Sequence, residues 1–207
     1  MMISARPTPL PQIGAASQQR GFSLITTLIL LVIVTILGLA ASQMALLSER
    51  STRFDRDLQL AFQSAEAALI DAEFDIRGPN TSGGNRVGTF ASNSLIGFVD
   101  GCGTGPDRGK CQVAAPGQKP VWYTVDFIDT SVNAKTVPFG EFTGRTMSTG
   151  TTGVRPELAP RYIIEPIPDL TPGASATAQK VLYRVTAVGF GPRKETQAVV
   201  QMIFRKE

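Results

Sequence analysis

The sequence predicts an α+β protein: a long N-terminal α-helix, membrane-spanning in its first half, packed on a C-terminal antiparallel β-sheet. Three observations predict it. Residues 21–48 carry no charge at all, residues 49–77 continue in helical rhythm without Gly or Pro, and the C-terminal third holds β-branched runs joined by a Gly/Pro turn. A chain of 207 residues is long enough for one globular domain and an appendage.

The first 21 residues contain Arg6 and Arg20 and no acid. Without these two cations the net charge of +3 becomes +1, so the basic balance belongs partly to this segment. It gives little reason to expect a nucleic-acid partner, and no arginine-rich stripe with interleaved aromatics supplies one. From Phe22 to about Leu47 the chain is apolar, interrupted only by small or neutral residues such as Ser23, Thr26, Thr27, Thr35 and Gly38. That is longer than the roughly 7–15 residue core of a secretory signal, and a bilayer needs only about 20 apolar residues. The positive charges ahead of it leave residues 1–20 in the cytoplasm and send the rest of the chain across.

Beyond Glu49, residues Phe54, Leu58, Ala61, Phe62, Ala65, Leu69, Ala72 and Ile76 recur at helical steps. Arg53, Asp55, Arg56, Asp57, Glu66, Asp71 and Glu73 lie between them and read as a solvated face. Gly78-Pro79 is the stop. The expectation is one helix from Phe22 to Arg77, roughly 80 Å at 1.5 Å per residue, its apolar stripe of Phe54, Leu58, Phe62, Ala65 and Leu69 carrying the sheet.

After the loop GPNTSGGNRVG, Val121–Ile128 (VWYTVDFI) alternates, with Val121, Tyr123, Val125 and Phe127 on one side, and reads as a strand. Arg161–Glu165 reads as a second, ended by Pro166 and Pro168. Lys180–Val188 and Thr196–Phe204, joined through GFGPRK, read as a hairpin. One face of this sheet covers the helix stripe and the other is expected to be partly wet. Thr143–Gly153 and Thr171–Ala178 read as loops.

Cys102 and Cys111 close a Gly/Pro-rich loop, CGTGPDRGKC. Spacing alone leaves two reduced cysteines open. The membrane segment, which delivers this part to an oxidising compartment, favours a disulfide staple. Chemistry is otherwise sparse. The chain has no histidine, which excludes Ser-His-Asp and Cys-His nucleophiles and imidazole zinc sites. GTGPDRGKC superficially fits a phosphate loop, but Thr104 stands where a Gly is required and Cys111 where Ser or Thr is. Asp126 and Asp129 lack the further oxygen ligands of a calcium loop. No metal and no cofactor is implied, and an enzyme is the third choice of function.

The stretch RGFSLI, set between an all-positive leader and an unbroken apolar-then-amphipathic helix, resembles the type IV pilin family. An ordinary single-span protein shares the hydropathy but does not require Arg-Gly-Phe at the boundary. The resemblance implies that a prepilin peptidase cuts after Gly21 and methylates Phe22, and that the apolar helix is kept as anchor and then as filament core. It implies a pilin-like fold with leader 1–21, membrane and filament helix 22–48, amphipathic continuation 49–77 and globular domain 78–207. Most pilins carry Glu at the fifth mature residue, which here is Thr26. LAFQSAEAALIDAEFDI (60–76), PRYIIE (160–165), and YRVTAVGFG (183–191) followed by ETQAVVQMIF resemble PilX-type minor pilins of pilus assembly. The implied partners are other minor pilins and the major pilin, the peptidase, the inner-membrane assembly platform and a large tip adhesin. The implied route is inner membrane, then pilus at the cell surface, with a role at the tip or in priming. A type II secretion pseudopilin and a tip-located adhesion subunit remain the alternative readings.

Overall fold

The computed structural model describes residues 22–81, 84–90, 95–169 and 181–206. The leader 1–21 and the loop at 171–178 therefore lie outside the described residues. A single helix, α1, runs Phe22–Arg77. It ends where the sequence says it must: Gly78 takes φ +76° and its N–H donates to the Phe74 carbonyl at 2.7 Å, capping the last turn. The chain divides into two compact units, Met1–Arg50 and Ser51–Glu207.

In the second unit the rest of α1 lies on a four-stranded antiparallel sheet of order β1-β2-β3-β4. Its strands are β1 (Val137–Pro138), β2 (Arg161–Pro168), β3 (Val181–Phe190) and β4 (Gln197–Phe204). The β3–β4 hairpin has the expected place, pairing Tyr183 with Phe204 and Phe190 with Gln197. Two expectations fail locally. β2 does not stop at Pro166 but continues through Pro168, paired to Val181. The reason is register: the Ile164 N–H points away from β3, to the Gly109 carbonyl at 2.7 Å, so the missing N–H of Pro166 and Pro168 also falls on the edge away from β3. Val121–Thr124 is not a strand but one turn of helix, α2, entered from Pro120 and closed by Thr124 Oγ1 donating to the Val121 carbonyl at 2.8 Å. Val121 and Val125 are four residues apart, a spacing that a strand and a helix both place on one face, and Tyr123 between them is exposed.

The helix face against the sheet corrects a further expectation. Ala61, Ala65, Ala68, Ala72 and Ile76 are fully buried, while Phe54, Leu58 and Phe62 are exposed and Leu69 is only partly buried. Close approach explains the choice of alanine. A Cβ at Gly189 would stand 2.1 Å from the Ala61 carbonyl oxygen and 2.2 Å from the Ala65 nitrogen. Phe or Leu at the contact would lift the helix off the strand. Tyr162, Ile164, Tyr183, Val185 and Ala187 face the helix and join Phe90, Val137 and Phe142 in the main core. The opposite face is less wet than alternation suggests. Ile163, Val188 and Phe190 pack there against Cys102, Cys111, Val121 and Phe127, leaving the outer face of β4, with Val199 and Ile203, exposed.

Cys102 and Cys111 form the expected disulfide. The loop docks on the edge of β2 away from β3, beyond the short pairing with β1: the Cys111 N–H donates to the Ile164 carbonyl at 2.9 Å, beside the Ile164–Gly109 bond. On the chain-entropy argument, closing so short a loop stabilises by about 2–3 kcal/mol. Replacing both cysteines by serine is expected to lower unfolding free energy by about that much, read from urea melts by circular dichroism.

Candidate functional site

Three features of the described chain bear on function: the apolar half of α1, the exposed stripe after it, and the charged cluster under the disulfide loop.

In the first unit, from Ser23 to Arg50, no described side chain is buried. Leu28, Val34, Ile36, Leu39 and Leu47 present their side chains outward. α1 is the one helix among the described residues long and apolar enough to cross a membrane, with mean hydropathy of 2.8 over its best stretch. Its hydroxyls are spent internally: Thr26, Thr27 and Thr35 donate to the carbonyls of Ser23, Leu24 and Val32 at 2.9, 3.0 and 2.8 Å. A threonine bonded to its own helix costs little in lipid.

In the second unit Phe54, Leu58 and Phe62 line two adjoining shallow clefts. One, of about 380 Å³, lies between Phe54, Leu58 and the β3–β4 turn at Arg193, Glu195, Thr196 and Gln197. The other, of about 370 Å³, is formed by Leu58, Gln59, Phe62, Gln63 and Glu66. Three of the five residues expected to hold the sheet, Phe54, Leu58 and Phe62, thus form an exposed apolar surface rimmed by charge, while Ala65 and Leu69 do pack inward.

The buried charges are the part sequence reasoning missed. Asp71, expected on the solvated face, and Asp75 are fully buried along one flank of the alanine stripe. Asp75 takes the Arg86 guanidinium through Nε at 2.9 Å and Nη2 at 2.6 Å, and accepts the Tyr162 hydroxyl at 2.9 Å. Arg86 also donates to the Pro106 and Arg108 carbonyls at 3.1 and 2.7 Å, and its guanidinium sits 3.7 Å from the Phe142 ring centroid. Burial, with the Asp75 charge behind it, raises the Tyr162 phenol well above its ordinary value. Asp71 accepts the Gly140 N–H at 2.8 Å and the Thr143 hydroxyl, and burial raises its carboxyl above the usual aspartate range. These bonds tie α1 to Arg86, to β2 through Tyr162, and to the turn that holds Gly140 and Thr143.

Lys110, the lysine of GTGPDRGKC, is buried. Its Nζ donates to Thr89 Oγ1 at 2.7 Å and Asp107 Oδ1 at 3.1 Å and lies over the Phe90 ring; burial lowers its pKa. Its ammonium is thus spent inside the fold. Asp126 and Asp129 cap their own turns, accepting the N–H groups of Ile128 and Ser131 at 2.8 Å each. No group of three or more acidic or cysteine side chains is placed to hold a metal among the described residues.

The family comparison separates the readings. The model "Type IV pilus assembly protein PilX C-term" matches residues 99–206, over half of the chain, and "PilX N-terminal" matches residues 20–69. The chain belongs to the PilX family. Neither the curated proteins nor the solved structures gave a match. The C-terminal PilX match takes in the disulfide loop, α2 and the whole sheet, and the N-terminal match takes in the apolar helix and the Phe54–Phe62 stripe. As a PilX-family minor pilin, this is a structural component of type IV pilus assembly that works through contacts with other pilus components. Its apolar helix is suited to a membrane anchor.

Proposed function

We propose that this PilX-family chain is made as a precursor, cut between Gly21 and Phe22 by a prepilin peptidase that methylates Phe22, and anchored in the inner membrane by residues 22–48. Residues 49–77 and the domain 78–207 then stand in the periplasm. There it joins other minor pilins in a priming or tip complex, on the assembly platform, ahead of the major pilin. The N-terminal family match begins at Arg20 and so includes the Gly21–Phe22 pair. The apolar face of Phe54, Leu58 and Phe62 is the surface such neighbours would cover.

The observation that carries the tip position is Thr26. In the filament shaft the acid at the fifth mature position is thought to meet the N-terminal amine of a neighbour already in place. Thr26 supplies a hydroxyl bonded to Ser23 and no charge. A subunit with nobody ahead of it loses nothing by this, and a carboxylate there would cost roughly 2.5–3.5 kcal/mol in the bilayer.

Deleting the gene is therefore expected to remove surface pili, and native protein detected by immunogold should sit at pilus ends. Complementation with Thr26→Glu should restore only a small fraction of the pili. Full restoration by Thr26→Glu, together with native protein spread along the shaft, would refute the tip position.

A further inference from the structure

One roomy cleft belongs to none of the features above. It has a volume of about 760 Å³ and lies between the 99–103 segment, the 112–115 segment and the approach to α2. This is within the roughly 300–1,000 Å³ of ordinary small-molecule sites. Asp100, Gln112, Gln118 and Lys119 bring their polar groups to it, with Val113 and Val121 beneath.

We propose that this cleft binds a short neutral oligosaccharide. Its walls are held by the backbone, not by the side chains that line it. The Gln112 N–H donates to the Val99 carbonyl at 2.9 Å, the Gln118 N–H to Ala115 at 3.0 Å, and the Val125 N–H to Val121 at 3.2 Å. The Cys102–Cys111 disulfide pins the residues on either side of Gly101 and Gln112. The side chains of Asp100, Gln112 and Gln118 make no hydrogen bond among the described residues, so a rigid frame presents two carboxamides and a carboxylate unspent. The fixed backbone spares the ordering of the walls, while the glutamine side chains give up rotamer freedom on binding.

The chemistry of the lining selects the ligand. Carboxamides donate and accept at once, as vicinal hydroxyls do. The one cation, Lys119, is balanced by Asp100, so the cleft has no net charge to favour a phosphate, a nucleotide or an acidic peptide. Its apolar lining is limited to small aliphatic groups, which gives a peptide no pocket for a large anchor. An aromatic platform stands beside it: the Lys119 Nζ lies 5.4 Å from the ring centroid of Tyr123, whose ring is largely exposed. Such a ring offers an apolar face to the C–H side of a sugar. This site is independent of how the subunit enters a pilus.

Trp122 is the only tryptophan in the chain and adjoins the lining residue Val121, so its fluorescence reports on this cleft. The full protein, in zwitterionic micelles free of sugar head groups, is titrated with lactose, maltotriose, cellotriose and chitotriose. A saturable change with a roughly millimolar Kd is expected for at least one of them. Gln112→Ala combined with Gln118→Ala should weaken it about tenfold or more. Both residues are exposed, so the thermal melt should be unchanged. No saturable response across the panel, or an unchanged Kd in the double variant, would overturn the proposal.

Discussion

Gly189→Val leaves the domain unfolded, and Gly189→Ala costs about 3 kcal/mol or more: that is the expected result of substituting the glycine at the helix–sheet contact. Overpacking usually costs about 1–3 kcal/mol because side chains shift to make room. Here the atoms in the way are main chain, with the Ala65 Cα at 2.8 Å in addition to the Ala61 oxygen and Ala65 nitrogen. No rotamer change relieves that contact. The helix itself must move, although Ala68, Ala72 and Ile76 hold it against Val185, Ala187 and Tyr183. Gly88→Ala is the control: nothing lies within 4 Å of its Cβ position, and its stability should stay within about 0.5 kcal/mol of the parent. Urea melts followed by circular dichroism measure both. A Gly189→Ala protein as stable as the parent would mean that helix and sheet are not packed this closely.

Asp75→Ala has the second large effect, a loss of about 3–5 kcal/mol in the same melts. Removing the carboxylate leaves the Arg86 guanidinium buried against Phe142 with only carbonyls to bond, and strands the Tyr162 hydroxyl as well. Asp75→Asn should fall between, because the amide oxygen still accepts from Tyr162 while the charge is gone. Combining Asp75→Ala with Arg86→Met should recover much of the loss, since an apolar pair avoids the uncompensated charge. Additive losses in the double variant would show that the two side chains do not depend on each other.

These two sites also show where the sequence was legible and where it was not. The helix bounds follow from a charge-free run and from Gly78-Pro79, both local signals. The β3–β4 hairpin follows from β-branched runs around a Gly/Pro turn, again local. The packing face was harder. Phe54 and Leu58 lie nearly in line with the alanines on a helical wheel, and hydrophobicity ranks them higher. What decides for alanine is a glycine more than 120 residues later in the chain, which periodicity cannot see. Asp71, read as solvated, fails for the same reason, and Asp75 was not singled out at all. An acid on an amphipathic helix reads as solvated until its partner is placed, and Arg86, Gly140 and Thr143 all come from loops. The cysteine pair was legible because its partners are near in sequence and the membrane segment indicates the compartment.

The helix also carries the proposed function, in which the same residues would serve as anchor and then filament core after the chain is cut at one peptide bond. Intact-mass spectrometry of the protein recovered from cells that make pili tests this directly. The expected species lacks residues 1–21, begins at Phe22 and carries one added methyl group. A full-length N-terminus, or a cut at any other bond, would contradict it.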